Sequence, residues 1–463
     1  MVTNKVTAWA VWSAVFVSAF LMFAPLRAFS AESLPVPEAM FPQLERILSE
    51  SLRAAPRMLG SNLARLQSFE ESRVSALQRY PSVRAYSQYS LNQDKTAGET
   101  SSISTEKFYY SIDLIQPLYH WGALQAGARI GQINAEMARN NMIEAYRLLA
   151  LEIRRDFLQL VILKQGAANA RFQRDRAVKQ RDVMQARIDA GEVTAGMLEP
   201  AENAIVEAEL GVDRSEFAFE NALERFRRLC RDDGIQAAMI PDEIPPVTAP
   251  DASVVSPLRI NYVEKGGADG SVRARNAELG VQYWNLQHRI ARTALRPKVD
   301  LVLGSNQDER TYTLNVEQRN RIASLYLGVR VSWNIFDSHA NRHQLRASQY
   351  RVRQFELQAS QVKDDLLLDA KTAATELDFT RRALKLSERS YALSAGAVAI
   401  AESLVESGRG APADVDAARS GELAARVGVF QARAGYLNAA ANFLSLVDAD
   451  PAANSGAKDI LNQ

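Results

Sequence analysis

Side chains that could bind a metal ion or act as a nucleophile are few in this 463-residue chain. His339 and His343 stand four residues apart, a spacing at which two imidazoles on one helix face can hold a metal. No third ligand lies nearby in the sequence, so we interpret the pair as part of a solvated helix face. Cys230 is the single cysteine, which excludes an intrachain disulfide and every multi-cysteine metal site. We predict that its thiol is buried as a small apolar group.

The remaining chemical motifs are equally sparse. The segment Gly266-Gly267-Ala268-Asp269-Gly270 lacks the preceding strand and the following Lys-Ser/Thr of a phosphate loop, so we predict a flexible joint. We find no nucleophile–base pair, and the sequence therefore predicts neither an enzyme nor a cofactor. The 55 basic and 54 acidic residues balance, which gives no electrostatic reason to expect a nucleic-acid partner.

The long elements of the chain must then carry its function. One of the two longest predicted helices runs from His339 to Glu406 without a proline. Apolar residues recur along it every seven positions, first as Leu345, Val352, Ala359 and Leu366, then as Leu377, Leu384, Tyr391, Val398 and Val405. A heptad pattern of this length indicates coiled-coil packing, and the helix would be roughly 100 Å long.

Four short segments show a period of two instead. Residues 323–334 alternate between apolar and polar side chains directly before the long helix, as do residues 83–91, 108–114 and 299–303. The alternation predicts four strands that each have one apolar face. We expect polar loops at 92–107 and 304–322, and Gln116-Pro117 to end the second strand.

The chain is predicted to be an internal duplication. Further helices are expected at 43–79 with a break at Pro56, and at 122–189, 195–230, 270–295 and 412–447. Identical residues recur at an offset of 217, such as Gly191 with Gly408 and Phe226 with Phe443. We therefore predict a first repeat at 31–235, a proline-rich linker or equatorial segment at 236–265, a second repeat at 266–447 and a C-terminal tail at 448–463.

Residues 1–30 have the features of a secretory signal. Lys5 precedes an uncharged run from Val6 to Leu26, and Ala28-Phe29-Ser30 offers small residues at a cleavage spacing. The alternative is an uncleaved membrane anchor, since the run is long enough to be marginal. No later segment has 18 consecutive apolar residues.

Strands with one apolar and one polar face are typical of a sheet between lipid and water. An open sheet edge in hydrocarbon leaves backbone groups unpaired at several kcal/mol each, so only a closed barrel is stable there. Four strands are too few to close around water, so several chains must contribute. The alternative is two small hairpins that cap a soluble coiled coil.

The order of elements also resembles the TolC-like outer-membrane efflux protein family. Tyr80-Pro81-Ser82-Val83 opens the first strand, Gln116-Pro117-Leu118-Tyr119 precedes a long helix, and a glycine turn follows each long helix. The resemblance implies a mainly α fold with a small β part, built as a homotrimer. Three chains would form a 12-stranded transmembrane β-barrel and a barrel of 12 helices in the periplasm. It also implies that the channel docks to an inner-membrane pump through a periplasmic adaptor.

The resemblance assigns roles to the two turns. Residues Gly191, Glu192 and Val193, with Gly408, Arg409 and Gly410, would form the periplasmic entrance and contact the adaptor. Asp414 matches one position of an acidic ring at that entrance. The other acidic positions match Ala417 and Met197, while Asp416 is one place out of register. An alternative role for Asp414 is that of an ordinary acid at a helix N-terminus.

We therefore expect the exit duct of a tripartite efflux pump, located in the outer membrane and exporting small molecules. One alternative is the outer-membrane component of a type I protein secretion system. A different class of protein, a soluble periplasmic coiled-coil adaptor or scaffold, is the other alternative.

Overall fold

The computed structural model describes residues 34–95, 102–250, 252–311 and 319–454. The predicted secretory signal of residues 1–30 lies outside these ranges. The described residues form long helices and one four-stranded antiparallel sheet.

The first half contains five helices. They are α1 (Pro37–Met40), α2 (Pro42–Ala54), α3 (Pro56–Leu77), α4 (Ala123–Asp189) and α5 (Leu198–Cys230). The predicted break before Pro56 is confirmed, because Ala55 has an extended backbone with ψ of 134°. A proline disfavours the helical conformation of the residue before it, so one helix ends and the next begins there.

The main α-helices in the described part of the second half are α6 (Ala252–Val263), α7 (Val272–Ala291), α8 (Ala340–Glu406) and α9 (Pro412–Leu446). The predicted long helix is α8, and its buried residues are largely those of the heptad pattern, including Ala359, Leu366, Leu377, Leu384 and Val398. The period of seven therefore identified the side of α8 that packs inside the protomer.

The sheet contains β1 (Ser82–Asp94), β2 (Ile103–Tyr119), β3 (Lys298–Thr311) and β4 (Arg319–Ser332), and its spatial order is the chain order. All four predicted strands are confirmed and are longer than predicted, but the predicted end of the fourth at residue 334 was wrong, since β4 ends at Ser332. Parts of the expected loops at 92–107 and 304–322 belong to strands, because ladder hydrogen bonds continue where the side chains become polar. The end at Gln116-Pro117 was wrong, since β2 continues to Tyr119 through an irregularity next to Pro117.

The segment between the two halves is more ordered than a linker. Ile235, Ile240 and Ile244 are buried in the main core, and α6 packs against α8 although Pro257 lies inside it. The prolines suggested little regular structure. Contacts with α8 and the core outweigh that local preference here.

The left-handed residues of the backbone recur at one spacing. Residues with positive φ form four pairs whose members are 217 residues apart. The pairs are Trp121 with Ser338, Gly122 with His339, Gly191 with Gly408, and Arg231 with Asp448. Equal turns therefore begin and end the long helices in both halves. His339 helps to form one of these turns and stacks edge-on against Phe336 with ring centroids 5.7 Å apart.

The helices lie side by side in a fixed order. Both α3 and α5 pack against α4, which also packs against α7 and α9, and α8 packs against α7 and α9 on the far side. Within the described chain α8 does not pack along α3 or α5. The row of helices thus has two open edges, formed by α3 and α5 at one side and by α8 at the other.

Candidate functional site

The sheet has one apolar and one polar face. Val83 pairs with Leu114, Leu114 with Leu303, and Leu303 with Leu327, so one apolar row crosses all four strands. Leu327 is 71% exposed and its neighbour Leu325 is 82% exposed. Side chains that oppose each other across paired strands lie on the same face, so this face presents a continuous apolar surface. Such an exposed surface marks contact with a membrane or a protein.

The opposite face is polar. The adjacent row contains Arg84, Asp113, Gly304 and Tyr326. The Tyr326 hydroxyl donates a hydrogen bond to Asp113 Oδ1, and the two side chains meet over Gly304. An added Cβ at Gly304 would lie 2.6 Å from both Asp113 Oδ1 and Tyr326 Oη. The missing side chain at Gly304 therefore permits this bond between two strands that are not adjacent.

Aromatic residues stand where the strands end. Trp333 directly follows β4, is 58% exposed, and donates from Nε1 to the Leu295 carbonyl at 3.0 Å. Tyr119 ends β2 and packs edge-on against Trp121 at 4.8 Å. Amphipathic rings at this level suit the boundary between hydrocarbon and water.

The open edges of the sheet and of the helix row coincide. β1 follows α3 directly in the chain and β4 leads into α8, and among the described residues these elements form the two sides that lack a neighbour. The free side of α8 has a second heptad stripe, formed by the exposed residues Phe379, Leu386, Leu393 and Ile400. A coiled-coil stripe without an internal partner predicts a further helix packed against it.

The two helix–turn–helix tips share one backbone geometry. Gly191 donates to the Ile188 carbonyl and Glu192 to the Arg187 carbonyl, each at 2.9 Å. In the second tip, Gly408 donates to Val405 and Arg409 to Leu404 at 3.0 and 2.9 Å. These are Schellman turns, which require a left-handed residue, here Gly191 with φ of 75° and Gly408 with φ of 72°.

The entrance and adaptor-contact residues predicted from sequence lie together on these tips. Gly191, Glu192, Gly408 and Arg409 are exposed, while Val193 and Gly410 are half-buried. Glu192 is also ion-paired with Arg187 at 3.1 Å across the first turn. The tips therefore offer a surface made of backbone and charged side chains.

A groove of about 1170 Å³ separates the two tips. Its apolar wall includes Met184, Met197, Val405 and Val415, and charged residues surround it. Asp416 lines this groove. Arg419, which also lines it, is ion-paired with Glu402 of α8 at 2.7 Å.

Asp414 takes a different position. It is exposed, and its Oδ2 accepts a hydrogen bond of 3.0 Å from the backbone N–H of Ala411 at the start of α9. The side chain thus caps the helix, as the alternative interpretation of the sequence expected. Capping leaves the other carboxylate oxygen and the charge of Asp414 at the tip surface.

Other contacts near the tips were not apparent from the sequence. Gln173 Nε2 of α4 donates to Ser420 Oγ of α9 at 2.7 Å and joins the two helical hairpins. The partners are 247 residues apart, and neither residue belongs to a recognisable motif. The 217-residue offset does not relate them either, so only the folded chain reveals the pair.

The described residues contain neither a metal-binding cluster nor a helix that could span a membrane. In the described ranges, no group of three His, Cys, Asp or Glu side chains is arranged to hold a metal ion. Among the helices of the described residues, none combines the length and hydrophobicity needed to cross a membrane.

Comparison with known proteins identifies a family and several solved structures with the same fold. A model of the outer membrane efflux protein family matches residues 47–229 and 273–447. No curated protein matches the chain. The solved CmeC outer membrane channel of Campylobacter jejuni superposes with a TM-score of 0.70 at 11% identity, over 99% of this chain and 97% of that one.

Two further solved structures share the fold. VceC, an outer membrane protein of Vibrio cholerae, matches with a TM-score of 0.64 at 14% identity, over 89% of this chain and 97% of that chain. The open state of the MtrE outer membrane channel of Neisseria gonorrhoeae matches with a TM-score of 0.63 at 14% identity, over 88% of this chain and 89% of that chain.

Proposed function

Because the chain belongs to the outer membrane efflux protein family, we propose that three copies of it form the exit duct of a tripartite export assembly. The chain is an outer-membrane efflux channel with a large periplasmic helical portion, and not an enzyme. The proposal adds the number of subunits, the way in which they close, and the surface that meets the partner proteins.

The open edges of the sheet and of the helix row support this proposal. In the part of the chain that the structure describes, the sheet lacks neighbours beyond β1 and β4, and the helix row lacks neighbours beyond α3, α5 and α8. In lipid each unpaired backbone group at a sheet edge costs several kcal/mol. Pairing β4 of one subunit with β1 of the next removes both edges at once. The same contact places α8 against α3 and α5 of the next subunit and buries the stripe at Leu386, Leu393 and Ile400.

Three subunits satisfy this closure. Each subunit supplies four strands, so three supply twelve, which exceeds the roughly eight strands that close with a filled interior. The apolar face at Leu325 and Leu327 then contacts lipid, and the polar face at Arg84 and Asp113 lines a water-filled passage. A soluble scaffold would leave that apolar face in water.

We assign the tips to the periplasmic entrance. The adaptor that connects the channel to an inner-membrane pump would contact both turns. Its contacts would be Gly191, Glu192 and Val193 in the first turn and Gly408, Arg409 and Gly410 in the second. Asp414 and Asp416 would supply an acidic ring at this mouth. Three symmetry-related copies of such carboxylates in a narrow passage would favour cations.

Disulfide crosslinking tests the closure. Gln88→Cys in β1 is combined with a cysteine on the same face of β4, placed in turn at Ser324, Gly328 and Arg330. We expect at least one pair to give covalent dimers and trimers on denaturing gels after oxidation, with no larger species. The matched control is Ile112→Cys with Ser305→Cys, which are register partners inside one protomer and should give monomers only.

Two results would contradict the proposal. A ladder that continues beyond three subunits would show an open assembly. Monomers alone from every β1–β4 pair would show that the edges do not meet. Adaptor contact is tested separately by a photo-crosslinker at Glu192 or Arg409, with the exposed Ser360 of α8 as control position.

A further inference from the structure

The helical turns next to the sheet have only positive charges. Residues 123–135 at the start of α4, 281–298 from α7 into β3 and 338–355 at the start of α8 contain no aspartate or glutamate. The same stretches contain nine exposed arginine and lysine residues, which are Arg129, Arg289, Arg292, Arg296, Lys298, Arg342, Arg346, Arg351 and Arg353. A concentration of one sign of charge attracts an oppositely charged ligand or surface.

The three stretches lie at one level, directly below the sheet. The chain passes from β2 into α4, from α7 into β3 and from β4 into α8. Helix α7 packs against both α4 and α8. His288 Nδ1 of α7 lies 2.7 Å from Ser348 Oγ of α8, which aligns the two stretches. The cations therefore form one basic band next to the barrel.

The first half lacks this excess of charge at the corresponding place. Pro297 directly precedes β3, as Pro81 directly precedes β1. Residues 286–298 contain four arginine and lysine residues and no acid, whereas residues 70–82 contain two arginines and two glutamates. The repeated fold therefore does not require the basic band.

The connection from α7 to β3 holds Arg296 among aromatic rings. The Trp121 indole donates a hydrogen bond to the Pro297 carbonyl at 2.7 Å, and the Trp333 indole donates to the Leu295 carbonyl at 3.0 Å. The Arg296 guanidinium lies 4.8 Å from the centre of the Trp121 ring. Two indoles thus fix the backbone on either side of Arg296. They place its charge at the level that suits the boundary between hydrocarbon and water.

Four exposed arginines of the band form no ion pair with a described residue. They are Arg289, Arg292, Arg296 and Arg342. The acids closest to them in the sequence have other contacts, because Asp300 Oδ1 lies 2.7 Å from His120 Nε2 and Asp337 accepts a 2.8 Å hydrogen bond from the Asn341 N–H. Guanidinium groups without a carboxylate partner can bind phosphate through two parallel N–H groups.

We propose that the basic band binds the headgroups of anionic phospholipids in the leaflet that faces the periplasm. Arg292, Arg296 and Arg342 bind the lipid phosphates. The acyl chains of the same lipids lie along the apolar face of the sheet at Val329 and Val331. This inference goes beyond the proposed function, since it requires the outer-membrane location but neither a fixed number of subunits nor an adaptor.

A membrane lipid fits this band better than a periplasmic polyanion does. The cations adjoin the aromatic rings and the apolar face of the sheet, and Arg296 is fixed by the exposed Trp333 and by Trp121. A lipid can occupy the apolar surface and the cations at once, whereas a polar polymer can use the cations alone. Clusters of Lys and Arg beside a hydrocarbon surface are typical of anionic-lipid binding.

Quenching of tryptophan fluorescence by brominated lipids tests the proposal in the purified full-length channel. The channel is reconstituted in phosphatidylcholine that contains increasing fractions of phosphatidylglycerol with dibrominated acyl chains. Quenching of Trp121 and Trp333 then reports the lipid next to the sheet. We expect phosphatidylglycerol to bind about fivefold more tightly than phosphatidylcholine, and this preference to decline at high salt.

Charge variants identify the residues responsible. Arg292→Gln combined with Arg296→Gln should bring the ratio of the two lipid affinities close to one, whereas lysine at both positions should keep most of the preference. The matched control is Arg214→Gln combined with Arg225→Gln, which removes two exposed charges from α5 and should leave the ratio unchanged. The ratio is measured within each variant, so a lower yield of folded protein does not alter it.

Three results would overturn the proposal. The first is equal affinity for both lipids in the unmodified channel. The second is a preference that survives glutamine at Arg292 and Arg296, or that is lost equally in the α5 control, because the charge would then act elsewhere. The third is an unchanged lipid ratio together with loss of binding to purified peptidoglycan in the glutamine variant, which would identify a cell-wall polymer as the occupant.

Discussion

Arg154 and Asp450 form a two-pronged ion pair inside the protein, although 296 residues separate them. Nη1 lies 2.6 Å from Oδ2 and Nη2 lies 2.8 Å from Oδ1, and the two side chains are 0% and 1% exposed. Glu38 binds the other side of the same guanidinium, with its Oε2 2.9 Å from Nε. The two carboxylates raise the pKa of Arg154 against the opposing effect of its burial. The cluster fastens both the start and the end of the described chain to α4.

We predict that Arg154→Met strongly destabilises the protein. It leaves Glu38 and Asp450 without their cation in a buried site, which costs about 3–5 kcal/mol. Thermal unfolding followed by circular dichroism measures the loss. The control is Arg171→Met, which removes an ion pair to Glu216 whose side chains are 57% and 39% exposed and should cost less than about 1 kcal/mol. Similar losses for both variants would contradict the role of the buried cluster.

Gly408→Ala should loosen the second tip. A side chain at φ of 72° costs about 1–2 kcal/mol, which corresponds to about 5–30-fold in the opening equilibrium of the turn. Amide hydrogen exchange at residues 408–410 should accelerate by that factor. Gly211→Ala is the control, because Gly211 has an ordinary helical backbone and open space around its added Cβ. Unchanged exchange in Gly408→Ala would show that the left-handed turn does not order the tip.

Gly304→Ala should weaken the barrel. The new Cβ would lie 2.6 Å from Asp113 Oδ1 and from Tyr326 Oη, so the hydrogen bond between them must break. Loss of that bond costs about 1–3 kcal/mol. We expect a lower temperature at which the proposed trimer dissociates on denaturing gels. Gly328→Ala in β4, with no atom within 4 Å of its Cβ, should behave as the unmodified protein does.

Asp414→Asn separates the charge of Asp414 from its capping role. The amide oxygen can still accept the Ala411 N–H, so we expect a change in stability below about 0.5 kcal/mol. In the proposed trimer this substitution removes three symmetry-related charges, which should lower the cation preference, measured as the reversal potential in a planar bilayer under a salt gradient. Glu376→Gln, remote from the tips on α8, is the control. An unchanged reversal potential in Asp414→Asn would restrict Asp414 to capping α9.

The thiol of Cys230 should titrate only at high pH. Burial raises its pKa to about 11. A thiol with a raised pKa in the folded state contributes stability that is complete below its unfolded pKa and is lost as the pH rises through the folded value. Thermal stability should therefore fall more steeply between pH 8.5 and pH 11 in the unmodified protein than in Cys230→Ala.

Maleimide labelling provides a direct check on the same thiol. Because the thiolate is the reactive form, Cys230 should label slowly at pH 8 in the folded protein and quickly in denaturant. Rapid labelling in the folded state would show that the thiol is neither buried nor protonated.

The sequence by itself determined the local elements and their repetition. A period of seven fixed the inner side of α8, a period of two fixed the four strands, and the 217-residue offset placed Gly191 and Gly408 in equal turns. These features are set by residues close together in the chain, because side-chain spacing decides which face a helix or strand buries. The family resemblance and the apolar face of the sheet followed from the same local patterns.

The tertiary structure decided which distant residues meet. The Arg154 cluster, the Gln173–Ser420 bond and the burial of Ile240 and Ile244 join parts of the chain that no local pattern relates. The helix at Ala252–Val263 forms against a proline, since packing on α8 outweighs local preference. Whether Asp414 caps α9 depends on the geometry of one turn. Contacts between remote segments depend on how the whole chain folds. The spacing of residues along the sequence does not specify those contacts.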